Sequence, residues 1–169
     1  MKTALRLVDR LAYWTGACAR WLCISAMLVG VFEVTMRYVF DSPTTWSFEL
    51  IMMLGGSSYA LGWGYAHYHD SHVRMDVFYS RLSPRGKAIS DLIFSAIFFF
   101  PLMTLMARES VEWAIRSWKI NEVMVQTYWY PPAGPYRTVL ALGLCLFLIH
   151  GIARFARDLY LVIRRQPVA

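Results

Sequence analysis

Four long apolar stretches dominate this chain, and they leave little sequence for anything else. A helix that crosses a bilayer needs about 20 mostly apolar residues. The stretches 11–36, 46–68, 88–107 and 136–155 each meet that length. Between them lie short polar segments, too short for a separate soluble core. Composition agrees: 57% of the 169 residues are hydrophobic and 17% are charged. A soluble domain carries roughly 45–50% and about 25%. The expected fold class is all-α, an integral membrane protein of four transmembrane helices in a single domain.

The boundaries follow from local chemistry. The N-terminus carries Lys2, Arg6 and Arg10 before an apolar run, the outline of a signal peptide. No convincing small-residue cleavage site follows, and Arg20 interrupts the run, so an uncleaved first span is expected. Glu33 and Arg37 are four apart with the acid first, which suits an ion pair on one helix face. Phe40-Asp41-Ser42-Pro43 reads as a turn, because Pro43 blocks helix continuation. Glu49 falls in the first turn of the second span, where the helix dipole favours an acid.

The second span carries two stripes of small residues at spacing four. One is Gly56, Ala60 and Gly64, and the other is Ser58, Gly62 and Ala66. Such stripes let helix backbones approach closely, either within one subunit or against a partner. Ser83-Pro84-Arg85-Gly86 reads as a turn before the third span, which Pro101 is expected to bend. Past that span, alternating charges extend the helix beyond the membrane, with Glu112 and Arg116 as a second four-apart pair. Trp113, Trp118, Tyr128, Trp129, Tyr130 and Tyr136 form an aromatic belt there. Pro131, Pro132 and Pro135 break the chain before the fourth span.

Orientation comes from basic residues. Eleven Lys and Arg lie on the face of the termini and the middle loop, among them Arg74, Arg81, Arg85, Lys87, Arg154 and Arg157. Five lie on the other face: Arg37, Arg108, Arg116, Lys119 and Arg137. The richer face is expected to be cytoplasmic, which gives an N-in, C-in topology. The net charge of +6 is then a lipid-facing charge rather than a nucleic-acid footprint.

Chemistry-bearing groups are few. His67, His69 and His72, with Asp70 and Asp76, have spacings that can ligate a metal. They also sit where a membrane interface expects polar side chains, and no metal is assigned. His150 has no histidine at matching depth, so no haem or other cofactor is expected. Glu33, Glu49 and Asp91 lie at span ends, away from the midplane where transport carboxylates act. No pair of broken helices builds a midplane substrate site. Phosphate loops, nucleophile elbows and zinc-protease motifs are absent, so the chain is not expected to be an enzyme. Cys18, Cys23 and Cys145 all fall in apolar stretches and suit packing rather than disulfides.

One combination of motifs is more specific. Arg37-Tyr38-Val39-Phe40 continues through Ser42-Pro43, Trp46 and Glu49, and then His72-Val73-Arg74-Met75-Asp76-Val77 precedes Leu82-Ser83-Pro84-Arg85. With the span count and loop sizes, this resembles the small (DctQ-type) membrane subunit of tripartite ATP-independent periplasmic (TRAP) transporters. The resemblance implies an accessory subunit that braces a large sodium-coupled transport subunit. It also implies help in docking a periplasmic substrate-binding protein during uptake of an organic acid. Arg37, Trp46, Glu49, His72, Arg74 and Asp76 match the family pattern. Together with Gly56, Ala60 and Gly64 they are the expected partner-interface residues. Each also has a local reading: Trp46 as an interface anchor, Glu49 as a helix start, Arg74 as a topology charge. Two other classes stay open on the sequence: a redox-complex membrane anchor with a haem or quinone site, and a small exporter that acts as an oligomer.

Overall fold

A computed structural model describes residues 2–69 and 83–164. Among the described residues the elements are helices, joined by loops that hold one isolated Val123–Pro132 bridge: α1 (Lys2–Tyr38), α2 (Ser47–Tyr68), α3 (Pro84–Phe94), α4 (Phe100–Lys119) and α5 (Ala133–Arg164). A π turn, Ser95–Phe99, joins α3 and α4 into one rod, so the helices form four rods.

Helix ends account for the differences from the expected spans. The segment 83–86 does not form a free turn; it opens α3. The Ser83 hydroxyl accepts from the Gly86 amide at 3.2 Å, and Pro84 occupies the first turn. Proline costs no hydrogen bond there, because the first amides of a helix have no intrahelical acceptor. The same reason moves Pro135 from a breaker into the first turn of α5. At its far end α4 stops in a Schellman arrangement. Asn121 has φ 46°, and the Glu122 amide donates to the Ser117 carbonyl at 3.0 Å.

Pro101 acts through the π turn. The Phe100 amide bonds the Ser95 carbonyl, five residues back, so the helix widens just where proline lacks an amide. The widening turns two consecutive rings onto α5. Phe99 meets Phe147 with ring centroids 5.3 Å apart, and Phe100 meets Phe155 at the same separation.

The rods form an open row rather than a closed bundle. α1 packs along α2, α2 along α5, and the α3–α4 rod along α5, while α1 makes a smaller contact with α5. α5 is therefore the central element. Both small-residue stripes of α2 serve this packing. The Ser58 hydroxyl donates to the Ala19 carbonyl of α1 at 2.9 Å, and Gly62 faces the Ala19 methyl group. On the opposite side Ala60, 1% exposed, lies against Gly143 of α5. A Cβ on Gly143 would lie 2.7 Å from the Ala60 carbonyl carbon, closer than real contacts allow.

Three rods are long and apolar enough to cross a membrane: Leu7–Tyr38, Arg85–Lys119 and Ala133–Ile163. α2 is not among them, although its 22 residues span about 33 Å at about 1.5 Å per residue. Glycines and serines dilute its hydropathy. The outer surface of the rods is strongly apolar. Trp21, Met27, Leu28 and Val31 stand exposed on α1, and Ile97, Phe98, Leu102 and Leu105 stand exposed on the α3–α4 rod. In water such a surface would be an aggregation hazard; in lipid it is the ordinary exterior.

Candidate partner interface

The first hairpin is built around Glu33. Its Oε1 accepts from the Arg37 guanidinium at 2.7 Å, as the spacing predicts. Its Oε2 accepts from the Thr44 amide at 3.1 Å and from the Thr44 hydroxyl. One buried carboxyl thus fixes both the end of α1 and the turn that follows, while Arg37 stays largely exposed. Trp46 stacks on Phe32 of α1, with centroids 5.8 Å apart, and holds the start of α2 against the same helix.

Glu49 lies one turn further on and is 0% exposed. Its Oε1 accepts from the Thr127 amide at 2.9 Å, while its Oε2 has no hydrogen-bond partner among the described residues. This bond ties the loop between α4 and α5 to the start of α2. A neck closes the same loop: the Met124 amide donates to the Pro131 carbonyl and the Ala133 amide to the Glu122 carbonyl, at 2.9 and 2.8 Å. Val125, Tyr128, Trp129 and Tyr130 project from it exposed, Tyr128 at 85%. Half of the aromatic belt expected here, Tyr128, Trp129 and Tyr130, thus lies in this loop, and the other half lies on α4 and α5.

Two anchors at this end escaped sequence reasoning. Arg137 on α5 makes a two-pronged ion pair with Glu122, and its guanidinium lies 4.0 Å from the Trp113 ring centroid. The guanidinium beside it holds the Glu122 carboxyl below the ordinary glutamate value. The Trp118 indole also donates to the Thr138 hydroxyl at 2.8 Å. No periodicity links a loop residue to a helix start 15 positions on, so only folding brings Glu122 and Arg137 together. The four-apart pair expected between Glu112 and Arg116 is replaced by Arg108 with Glu112, at 2.8 Å. Arg116 acts electrostatically on Glu122 instead.

The opposite end is held by a separate cluster. Arg157 of α5 bonds both carboxyl oxygens of Asp9 at 2.7–2.8 Å, joining α1 to α5. His150, buried at 3% exposure, places Nε2 3.9 Å from Asp9. Arg154 lies 4.0 Å from Asp91 of α3 and 4.0 Å from Asp158. Asp91, expected near a span end, therefore belongs to a charge network between rods.

The predicted interface residues thus fall into three groups. Arg37, Trp46 and Glu49 share one end of the molecule. Gly56 and Ala60 face α5, Gly56 beneath the Tyr136 side chain, whereas no atom lies within 4 Å of a Cβ built on Gly64. His72, Arg74 and Asp76 lie outside the described residues, as does Asp70, whereas the His69 ring packs on Tyr65 with centroids 4.4 Å apart.

A row of long helices, apolar outside and tied by charges at both ends, defines a membrane protein of the polytopic helical class. The family model described as "Tripartite ATP-independent periplasmic transporters, DctQ component" matches residues 26–160, and the chain belongs to that family. No curated protein matches the chain. The family is a transporter component rather than an enzyme family, and the redox-anchor alternative finds no support in it.

Proposed function

We propose that this chain is the bracing subunit of a TRAP-type transporter in a bacterial inner membrane. All four rods cross the bilayer in one domain, α2 included, with both termini in the cytoplasm. α2 crosses shielded between α1 and α5, which is why its glycines and serines are tolerated at lipid depth. The chain supports a large sodium-coupled subunit and contributes to docking a periplasmic binding protein that delivers an organic acid. Family membership over 135 of 169 residues is the observation that carries this reading.

The geometry supports a brace. Its carboxyl and guanidinium groups are spent on fixing helix ends and loops. The outer faces of α1 and of the α3–α4 rod remain uncovered by the chain itself. The end that carries Arg37, Trp46, Glu49 and the 120–132 loop is the periplasmic one in this orientation.

Co-expression with the adjacent large membrane subunit, followed by reconstitution, tests the reading. Co-purification and sodium-driven uptake that depends on this chain are expected. Full uptake by the large subunit alone would sink the bracing role. Cysteine labelling at the 120–132 loop and at the termini, from outside and inside, tests the topology.

A further inference from the structure

Arg20 lies near the middle of the membrane-length part of α1, Leu7–Tyr38. It is exposed, and among the described residues it has no ion pair or hydrogen bond. The other charged residues of α1 and α2 stand toward the helix ends. Along α1, Arg20 is 11 positions from Asp9, which pairs with Arg157, and 13 from Glu33, which pairs with Arg37. At about 1.5 Å per residue those separations are about 17 Å and about 20 Å, more than half of a hydrocarbon core of about 30 Å. The side chain tilts toward the N-terminal end of its helix, here the Asp9 end, but its length bridges less than half of that separation. The guanidinium therefore stays at hydrocarbon depth.

α1 and α2 run antiparallel, as the contacts of Gly16 with Tyr65 and of Gly30 with Ile51 show. The hydrogen bond from Ser58 to the Ala19 carbonyl sets those two residues at one depth. In an antiparallel pair, one further residue on each helix turns about 100° to the same side. Arg20 and Tyr59 thus share one side of the pair at one depth. Tyr59 is 74% exposed, 12 positions from the start of α2 and 9 from its end, and its hydroxyl has no partner among the described residues. Met27, Phe48 and Met52 are exposed on this side too, and no atom lies within 4 Å of a Cβ built on Gly55. The opposite side of the pair is closed, where Thr15 and Leu61 line one narrow crevice with His150 of α5.

We propose that the open side of α1 and α2 seats a transmembrane segment of the large transport subunit, and that this segment presents a carboxylate at mid-depth to Arg20. A guanidinium in hydrocarbon needs an anion within reach, because an unpaired charge there is costly. Lipid tails supply none, and headgroups lie too far along the axis, so the anion belongs to protein. A second copy docked by this side would bring another Arg20, and neither α1 nor α2 offers an acid at that depth. The Tyr59 hydroxyl adds a donor beside the guanidinium, and Gly55 lets a partner backbone approach closely.

The proposal rests on the bracing reading and adds to it the face and the contact. The test uses the full chain co-expressed with its large subunit. A benzophenone side chain placed at Met52 or Tyr59 should cross-link to the large subunit on illumination. Arg20→Gln should weaken association by roughly tenfold, the size of one charge-assisted hydrogen bond. Arg20→Lys should weaken it less and Arg20→Glu more. Gly55→Leu should also weaken the complex while leaving the melting temperature of the isolated chain unchanged, because its side chain meets nothing in the chain itself. Cross-links from both positions only to lipid or to a second copy, with the large subunit still co-purifying, overturn this face and leave the bracing role standing. Undiminished association of both Arg20→Gln and Gly55→Leu does the same. A wild-type chain that does not associate with the large subunit overturns both.

Discussion

The Glu49 carboxyl accepts a hydrogen bond from the Thr127 amide at 2.9 Å, across 78 positions of sequence. This contact joins the start of α2 to a loop whose other ties run to α4 and α5. It makes the shape of the exposed Tyr128–Tyr130 segment depend on a residue with no exposure of its own. Glu49→Gln keeps an acceptor oxygen and is expected to leave the loop in place. Glu49→Ala strands the Thr127 amide, a loss of about 1–3 kcal/mol. The loop of the alanine variant should be cut faster by protease in detergent, and indistinguishable cleavage of the two variants would refute the latch.

The contact between α2 and α5 predicts a contrast between two glycines. Gly143→Ala forces a methyl group against the Ala60 backbone and is expected to cost about 1–3 kcal/mol. Gly64→Ala meets no atom within 4 Å and is expected to stay within about 0.5 kcal/mol. Thermal unfolding of the purified chain in detergent compares them. Equal melting temperatures for the two variants would show that α2 and α5 are not pressed together here.

The pairing of Glu122 with Arg137 carries a pH dependence of known sign. The carboxyl titrates below its ordinary 4.5, mainly because of the hydrogen bonds from Arg137. Its contribution is therefore complete above the unfolded value and is lost as pH falls through the lowered folded one. Acidification should loosen the 120–132 loop in the wild-type protein, and Glu122→Gln should remove this part of the pH response. Hydrogen exchange at Val123 and Met124 across the acidic range measures it. A variant with the same acid profile as wild type would assign the response to another group.

The Asp9–Arg157 pair holds the N-terminal part of α1 to α5. Asp9→Asn and Arg157→Gln are each expected to weaken this joint, and the double variant should cost less than their sum. A coupling of roughly 0.5–3 kcal/mol is the range for contacting residues. Additive losses in denaturation would mean that the pair, despite its short distances, contributes no net coupling.

Much of the architecture was legible because span-length apolar runs have few alternative folds. Four rods, the Glu33–Arg37 pair, the helix start at Glu49 and the turn after Phe40 follow from spacing and residue chemistry. Helix ends were less legible. Prolines at 84 and 135 look like breakers until the missing acceptor of a first-turn amide is considered. The wide turn before Pro101 has no sequence signature of its own. The candidate site was legible only in part. Arg37, Trp46 and Glu49 carry a recognisable motif, but the partners of Glu49 and Glu122 lie across loops that no periodicity spans. Gly56 and Ala60 belong to a stripe with two readings, and the fold places both against α5 of the same chain. That placement leaves Gly56→Leu reporting on the fold as well as on any assembly.

The open row also has a mechanical consequence. In a closed bundle, a push on one helix is shared among several neighbours. Here a sideways load on the α3–α4 rod passes to α1 chiefly through α5. The Phe99 and Phe100 ring contacts carry it onto α5, from which two parallel branches reach α1, one through the Gly143 crossing and α2 and one through the Asp9–Arg157 joint. Stiffness in series is limited by the softest member, so softening the aromatic contacts changes the compliance of the whole subunit, whereas loss of either branch is partly carried by the other.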